Sequence, residues 1–273
     1  MPETPESLRC LSCGFGLAAH ATGRCPECGT PVERSLRGDF LANASPDYLA
    51  RLRYGLVLVI AGTLVGFSWW VATPVLAANA RGAGLSMRAV EILTQSIDFA
   101  SQLLLLLGWW LVSSPNPAVI NPEADLVLRR LLRGFVIVLA VLTGIGFVGA
   151  FIPALEKAGL GAVTGSIHIG AHTQFTPLFV AGLVIRVVLV FGALGRFVVG
   201  LLYLQQLVAK IPDPALELKV RRQVWLFPLL MTLGWLCIGL GPLVGVVLYV
   251  LTLVRAQRAI ARECRRAVSE SVG

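Results

Sequence analysis

Residues 45–70 read SPDYLARLRYGLVLVIAGTLVGFSWW, and this stretch decides the fold. Ser45 offers a side-chain oxygen to cap a helix, and Pro46 at the first helical position needs no amide partner. Arg51 and Arg53 follow, then apolar sequence from Tyr54 to about Val71. Trp69 and Trp70 close the run as an interfacial aromatic belt, and Pro74 is expected to end the helix. A basic start, an apolar run and a tryptophan end describe a helix that crosses a hydrocarbon core of about 30 Å. By the positive-inside rule it runs from inside to outside.

The composition extends that reading to the whole chain. Of its 273 residues 56% are hydrophobic and only 14% charged, against about 25% charged in a soluble domain. Mean hydropathy is +0.78. The expected fold is mainly α, a polytopic helical membrane protein, and the span that opens at Ser45 is the first of a series. The polar, Cys-rich first 45 residues have no apolar run of a secretory signal. The net charge of +8 reads first as topology and contact with lipid headgroups, and only second as nucleic-acid binding.

A second span is expected over 89–112, ending in Trp109 and Trp110, after a short outer loop that carries Arg81 and Arg88. Asn121-Pro122 caps a third, with Arg129, Arg130 and Arg133 before apolar sequence to about Ile152. A glycine-rich outer loop, 154–174, holds His168 and His172. Residues 175–209 are apolar apart from Arg186 and Arg196. The later part reads as the fourth span, and the earlier part as a helix that extends above the bilayer or dips into it. Asp213-Pro214 is a third cap, followed by Lys219, Arg221, Arg222 and apolar sequence as far as Val254. As one helix that last stretch would be about 46 Å long. Gly239-Leu240-Gly241-Pro242 interrupts it, and arginines flank both ends. Two joined spans, about 223–240 and 242–258, keep both basic flanks inside. Six spans with both termini cytoplasmic are expected, and five are the alternative. Each of the three caps would open one hairpin.

Ahead of the membrane domain stand Cys10-Leu11-Ser12-Cys13 and Cys25-Pro26-Glu27-Cys28, each followed by a glycine. Two thiolates three residues apart can hold one metal ion, and the glycine lets the backbone turn its amides towards the sulfurs. Two such knuckles make a closed four-cysteine site, the arrangement of structural zinc. Iron is a second possibility for the same four sulfurs, and His20 could stand in for one of them. A redox dithiol would expect a βαβ neighbourhood, which is absent. A catalytic zinc is disfavoured, because four cysteines leave no open position for water. The domain plan is a tail over 1–9, the ribbon over 10–30, a linker over 31–45, the membrane domain over 46–262 and a cytoplasmic tail over 263–273. Thiolates that bind zinc need a reducing compartment, which places the N-terminus in the cytoplasm.

The ribbon sequence, CLSCGFGL followed by GRCPECGTPVERSL, resembles the start of zinc-ribbon membrane proteins of planctomycete bacteria, as does Ile211-Pro212-Asp213 later on. The likeness is specific over about residues 10–55 and loose beyond. It implies an architecture and a bacterial inner membrane, and it implies no activity.

Three groups of residues outside the ribbon are candidate sites. Glu91, Thr94, Gln95, Asp98, Ser101 and Gln102 fall on one face of the second span. Ionisable groups at such depth are costly, so Asp98 is expected to face the bundle and pair with an arginine of the fourth span, Arg196 first and Arg186 second. The other reading leaves Asp98 in water at the outer interface. Arg255, Arg258, Arg262, Arg265 and Arg266 form one face of the last helix and are expected to touch anionic lipid. No aromatic residues interleave with them, which argues against nucleic acid. His168 and His172 stand four apart, but the glycines around them favour plain loop residues. Sequence motifs of metalloproteases, serine hydrolases and P-loop enzymes are absent, so nothing argues for an enzyme. The leading expectation is a non-enzymatic membrane protein whose ribbon docks or regulates a cytoplasmic protein. Small-solute or ion transport along the polar stripe is the alternative, and a membrane enzyme of unseen chemistry the third.

Overall fold

Three helix starts and one small-residue seam account for how the chain packs. In the computed structural model the described residues are 10, 15–16, 23–27, 29, 32, 41, 44–80, 82, 84, 86–115, 123–151, 177–211, 213–233 and 240–272. They form six helices: α1 (Pro46–Ala80), α2 (Met87–Val112), α3 (Glu123–Ala150), α4 (Pro177–Val208), α5 (Pro214–Leu233) and α6 (Leu240–Val272).

Local chemistry sets the starts. Tyr48 N donates to Ser45 Oγ at 3.4 Å, and Leu216 N donates to Asp213 Oδ1 at 3.0 Å. Both caps expected from sequence therefore accept an amide that the first turn leaves without a helical partner. A third cap went unread: Ser86 accepts from Ala89 N at 3.1 Å and opens α2. The expected cap at 121–122 lies outside the described residues.

Pro74 does not end the first helix. It lies inside α1, which runs on to Ala80. Proline removes one amide donor, yet the helix runs on through it, as helices in membranes tolerate. Thr73 Oγ1 donates to the Trp69 carbonyl at 2.8 Å and Asn79 Nδ2 to the Val75 carbonyl at 2.7 Å, each hydroxyl or amide satisfied within its own helix. The 35 residues of α1 span about 52 Å, more than the hydrocarbon needs.

Each helix packs against the next in the chain, and α6 returns to α1. The seam of α1 with α2 is built on glycine. A Cβ on Gly55 would lie 2.8 Å from the Gly108 carbonyl, and one on Gly108 would lie 2.8 Å from the Gly55 carbonyl. Gly62 and Gly66 continue the seam against Ser101. Small residues let backbones approach where the hydrophobic effect cannot drive association. Further round, Gly200 of α4 makes room for the Trp109 ring and Gly195 for Phe135. Outward faces carry exposed Val141, Phe191, Trp225 and Val247, as a bundle surrounded by lipid requires.

Five helices, Pro46–Ala80, Arg88–Val112, Leu126–Ala150, Val187–Val208 and Leu240–Arg265, are long and apolar enough to cross a membrane. Helix α5 does not meet that measure among the described residues. Its first half carries Glu217, Lys219, Arg221 and Arg222, and its apolar half leads into residues 234–239, outside them. Even so, α5 and α6 are two helices packed side by side, as the hairpin reading expected. The apolar stretch from 175 onwards holds one helix of 32 residues, whose later part, Val187–Val208, is the segment long and apolar enough to span.

Candidate functional site

Cys10 and Cys25 are both buried, in one small cluster with Val32 and against Phe15. Cys10 N donates to the Phe15 carbonyl at 2.7 Å, so the chain after the first cysteine pair folds back on itself. Gly29 N donates to the Cys25 carbonyl at 2.9 Å, and Gly29 has φ of 70°. That left-handed turn suits glycine, and it follows the second pair. Val32 N reaches the Gly23 carbonyl at 2.9 Å and closes the segment. Cys13, Cys28 and His20 lie outside the described residues. Among the described residues no three His, Cys, Asp or Glu side chains group together as a metal site would need. The donor chemistry of two buried thiols sharing one cluster fits a soft, borderline metal such as zinc.

A second site lies between helices. Arg196 of α4 is only 5% exposed. Its Nη1 donates to Gln102 Oε1 of α2 at 2.6 Å, and its guanidinium lies 5.2 Å from the Phe197 ring centre. The sequence expectation had Arg196 paired with Asp98. Among the described residues no ion pair joins them, and the partner is Gln102, one turn further along the same face of α2. The axial register of α2 against α4 is the physical reason, since Gln102 stands level with Arg196. Asp98 is half-buried, and its carboxylate has no hydrogen-bond or ion-pair partner among the described residues. Gln95 and Ser101 of the stripe are buried. Ser101 Oγ donates to the Asp98 carbonyl at 2.9 Å, and Thr94 Oγ1 to the Val90 carbonyl at 2.8 Å. The side chain of Arg186, the other expected partner, lies outside the described residues, as do His168 and His172. Tyr249 of α6 went unread as a member of this site. Its ring meets Phe197 edge-on at 5.0 Å, and Phe197 is also the ring that lies 5.2 Å from the Arg196 guanidinium.

The arginines of one pole divide into two uses. Arg255, Arg258, Arg262 and Arg265 are exposed, while Ala256, Ala259, Ile260 and Glu263 on the other face of α6 are buried. The basic stripe read from the spacing is thus an exposed stripe on α6, and the side chain of Arg266 lies outside the described residues. Arg133 does something else. Its Nε donates to Ser113 Oγ at 2.8 Å and its Nη2 to the Ser113 carbonyl at 3.0 Å. Tyr203 Oη donates to the Val112 carbonyl at 3.2 Å. Leu41 N donates to the Lys210 carbonyl at 3.1 Å, which puts the entry to α1 and the exit of α4 at the same pole.

Comparison with protein-family models, with curated proteins and with solved structures finds no match.

Proposed function

We propose that this chain is an integral protein of a bacterial inner membrane whose N-terminal four-cysteine zinc ribbon docks or regulates a cytoplasmic protein. The membrane half is supported by five helices long and apolar enough to span. One observation carries the ribbon half: Cys10 and Cys25, fifteen positions apart in sequence, are buried in a common cluster, with a left-handed glycine just after the second pair. Cys13 and Cys28 would complete the set. The metal would supply a crosslink that holds a segment too small to fold by its own core. A four-sulfur shell leaves no place for substrate, so the reading is structural and not catalytic. The planctomycete-type ribbon proteins that the N-terminus resembles have the same layout.

The test is metal analysis of the purified full chain beside a Cys25→Ser/Cys28→Ser double variant, with co-purification from native membranes for both. About one zinc per chain, lost in the variant together with a defined partner, supports the reading. Zinc content that the variant leaves unchanged removes the ribbon. An identical partner set with and without zinc removes the docking role.

A second reading, movement of a small solute or ion along the polar face of α2, is favoured by the hydrogen bond of Arg196 with Gln102 inside the bundle. Flux in proteoliposomes that disappears in Asp98→Asn would support it.

A further inference from the structure

We propose that the bundle interior at Arg196 binds one small monovalent anion of halide size. Arg196 carries a positive charge within a helix long and apolar enough to span, and it is 5% exposed. Counted from Val208, it lies about 18 Å into α4 at 1.5 Å per residue, well inside a hydrocarbon core of about 30 Å. A buried charge needs a counter-charge, and one left alone is strongly destabilising. Gln102 supplies a carbonyl oxygen and no charge. Asp98 does not reach the guanidinium. No other carboxylate pairs with Arg196 among the described residues. The guanidinium has five N–H donors, and one protein acceptor is seen.

The groups around it are also donors. Tyr249 is 2% exposed, and its hydroxyl has no hydrogen-bond partner among the described residues. The Nε2 amide of Gln102 likewise has none. Three unspent donor groups on α2, α4 and α6 and one uncompensated positive charge make the electrostatic complement of an anion. The aromatic rings of Phe197 and Phe227, 5.0 Å apart beside Tyr249, form an apolar wall to the site. The charge count then selects the ligand. One negative charge neutralises Arg196, whereas a multiply charged phosphate would leave net negative charge in an apolar setting and would cost more to dehydrate. The site is independent of the ribbon.

The test is thermal unfolding of the full chain in detergent at constant ionic strength, with gluconate replaced stepwise by chloride, bromide or nitrate. The wild type is expected to gain several degrees along a saturating curve, and radiolabelled chloride to bind at about one per chain. Arg196→Gln is expected to lose both. Gln102→Glu guards against a variant that simply fails to fold. It places a carboxylate where Gln102 Oε1 already accepts from Arg196, so the counter-charge becomes internal. That variant is expected to melt no lower than the wild type and to ignore the anion. Equal melting of the wild type in gluconate and chloride overturns the proposal. A saturating rise that persists in Arg196→Gln overturns it too, by placing the anion elsewhere, such as the arginine-rich pole. Anion dependence that arises only in Asp98→Asn overturns it by making Asp98 the counter-charge.

Discussion

Arg133 grips Ser113 twice, from Nε to the hydroxyl at 2.8 Å and from Nη2 to the carbonyl at 3.0 Å. Ser113 is the residue that caps α2, and Ser113 itself is wholly buried. A cation therefore sits where the helix leaves carbonyls without amide partners and where its dipole is negative. The guanidinium also lies 4.3 Å from the Trp110 ring centre, a cation–π contact at the same helix end.

Arg133→Gln is expected to lower stability by about 1–2 kcal/mol, less than a fully buried charged hydrogen bond because Arg133 is partly exposed. Tyr203→Phe removes the bond to the neighbouring Val112 carbonyl and is expected to cost about 1 kcal/mol. Both side chains serve the last turn of α2, so the double variant should lose less or more than the sum. Thermal melts of the four proteins in one detergent check this. Strict additivity would mean that the two bonds act on separate parts of the bundle.

The α1–α2 seam predicts a contrast between glycines. Gly108→Ala puts a methyl 2.8 Å from the Gly55 carbonyl and from Val59 N, both of them backbone atoms that cannot rotate away. It is expected to cost about 1–3 kcal/mol, in the range of overpacked sites. Gly134 of α3 has nothing within 4 Å of its Cβ position, and Gly134→Ala is expected to be neutral or to stabilise by up to about 1 kcal/mol through helix propensity. Equal effects of the two substitutions in the melting assay would deny the close approach.

What could be read from sequence follows from how local each signal is. Ser45 and Asp213 were legible as caps because donor and acceptor stand three residues apart. Ser86 carries the same signal ahead of Ala89, but Arg88, two positions on, reads as a loop charge and masks it. Pro74 misled because its local rule counts one lost amide bond and ignores the helical run on both sides, which carries α1 on to Ala80. The polar stripe on α2 was legible from its period, yet its partner was misplaced by one turn. Period fixes which face a residue occupies, but the axial offset between two helices depends on how glycines such as Gly55 and Gly200 let them approach. Arg133 and Ser113 are twenty positions apart, and nothing in either neighbourhood links them. Tyr249 was invisible for the same reason, since a tyrosine in an apolar helix has no sequence mark of the Phe197 ring it meets.

The ribbon reading predicts a pH dependence with a definite sign. Zinc binds thiolates, so binding releases protons, and acid reverses it. Zinc retained by the purified chain should fall as pH is lowered through the range where the thiolates take up protons. A chelator at neutral pH should remove it more slowly than at acid pH. Mass spectrometry of the intact chain after brief dialysis gives the zinc content at each pH. Content that rises towards acid would contradict thiolate ligation.

The arginine-rich pole predicts that Cys264 faces the cytoplasm. The entry to α1, the exit of α4 and the start of α5 meet at that pole, through the Leu41 to Lys210 hydrogen bond and the Asp213 cap. Arg51, Arg53, Lys219, Arg221 and Arg222 are exposed there. An excess of Lys and Arg beside the span ends marks the cytoplasmic side. Cys264 follows Arg255 by nine positions on α6, about 14 Å along a helix, and with Arg255 at the headgroups it would lie in water. It is partly exposed. In a Cys237→Ser background, a membrane-impermeant thiol reagent should leave residue 264 unmodified in intact cells and modify it after permeabilisation, as read by peptide mass. Arg265→Cys, at an exposed position one residue on, repeats the test where burial cannot protect the thiol. Modification of both positions in intact cells would invert the bundle, place the ribbon outside the reducing compartment and remove the physical basis for a zinc thiolate site.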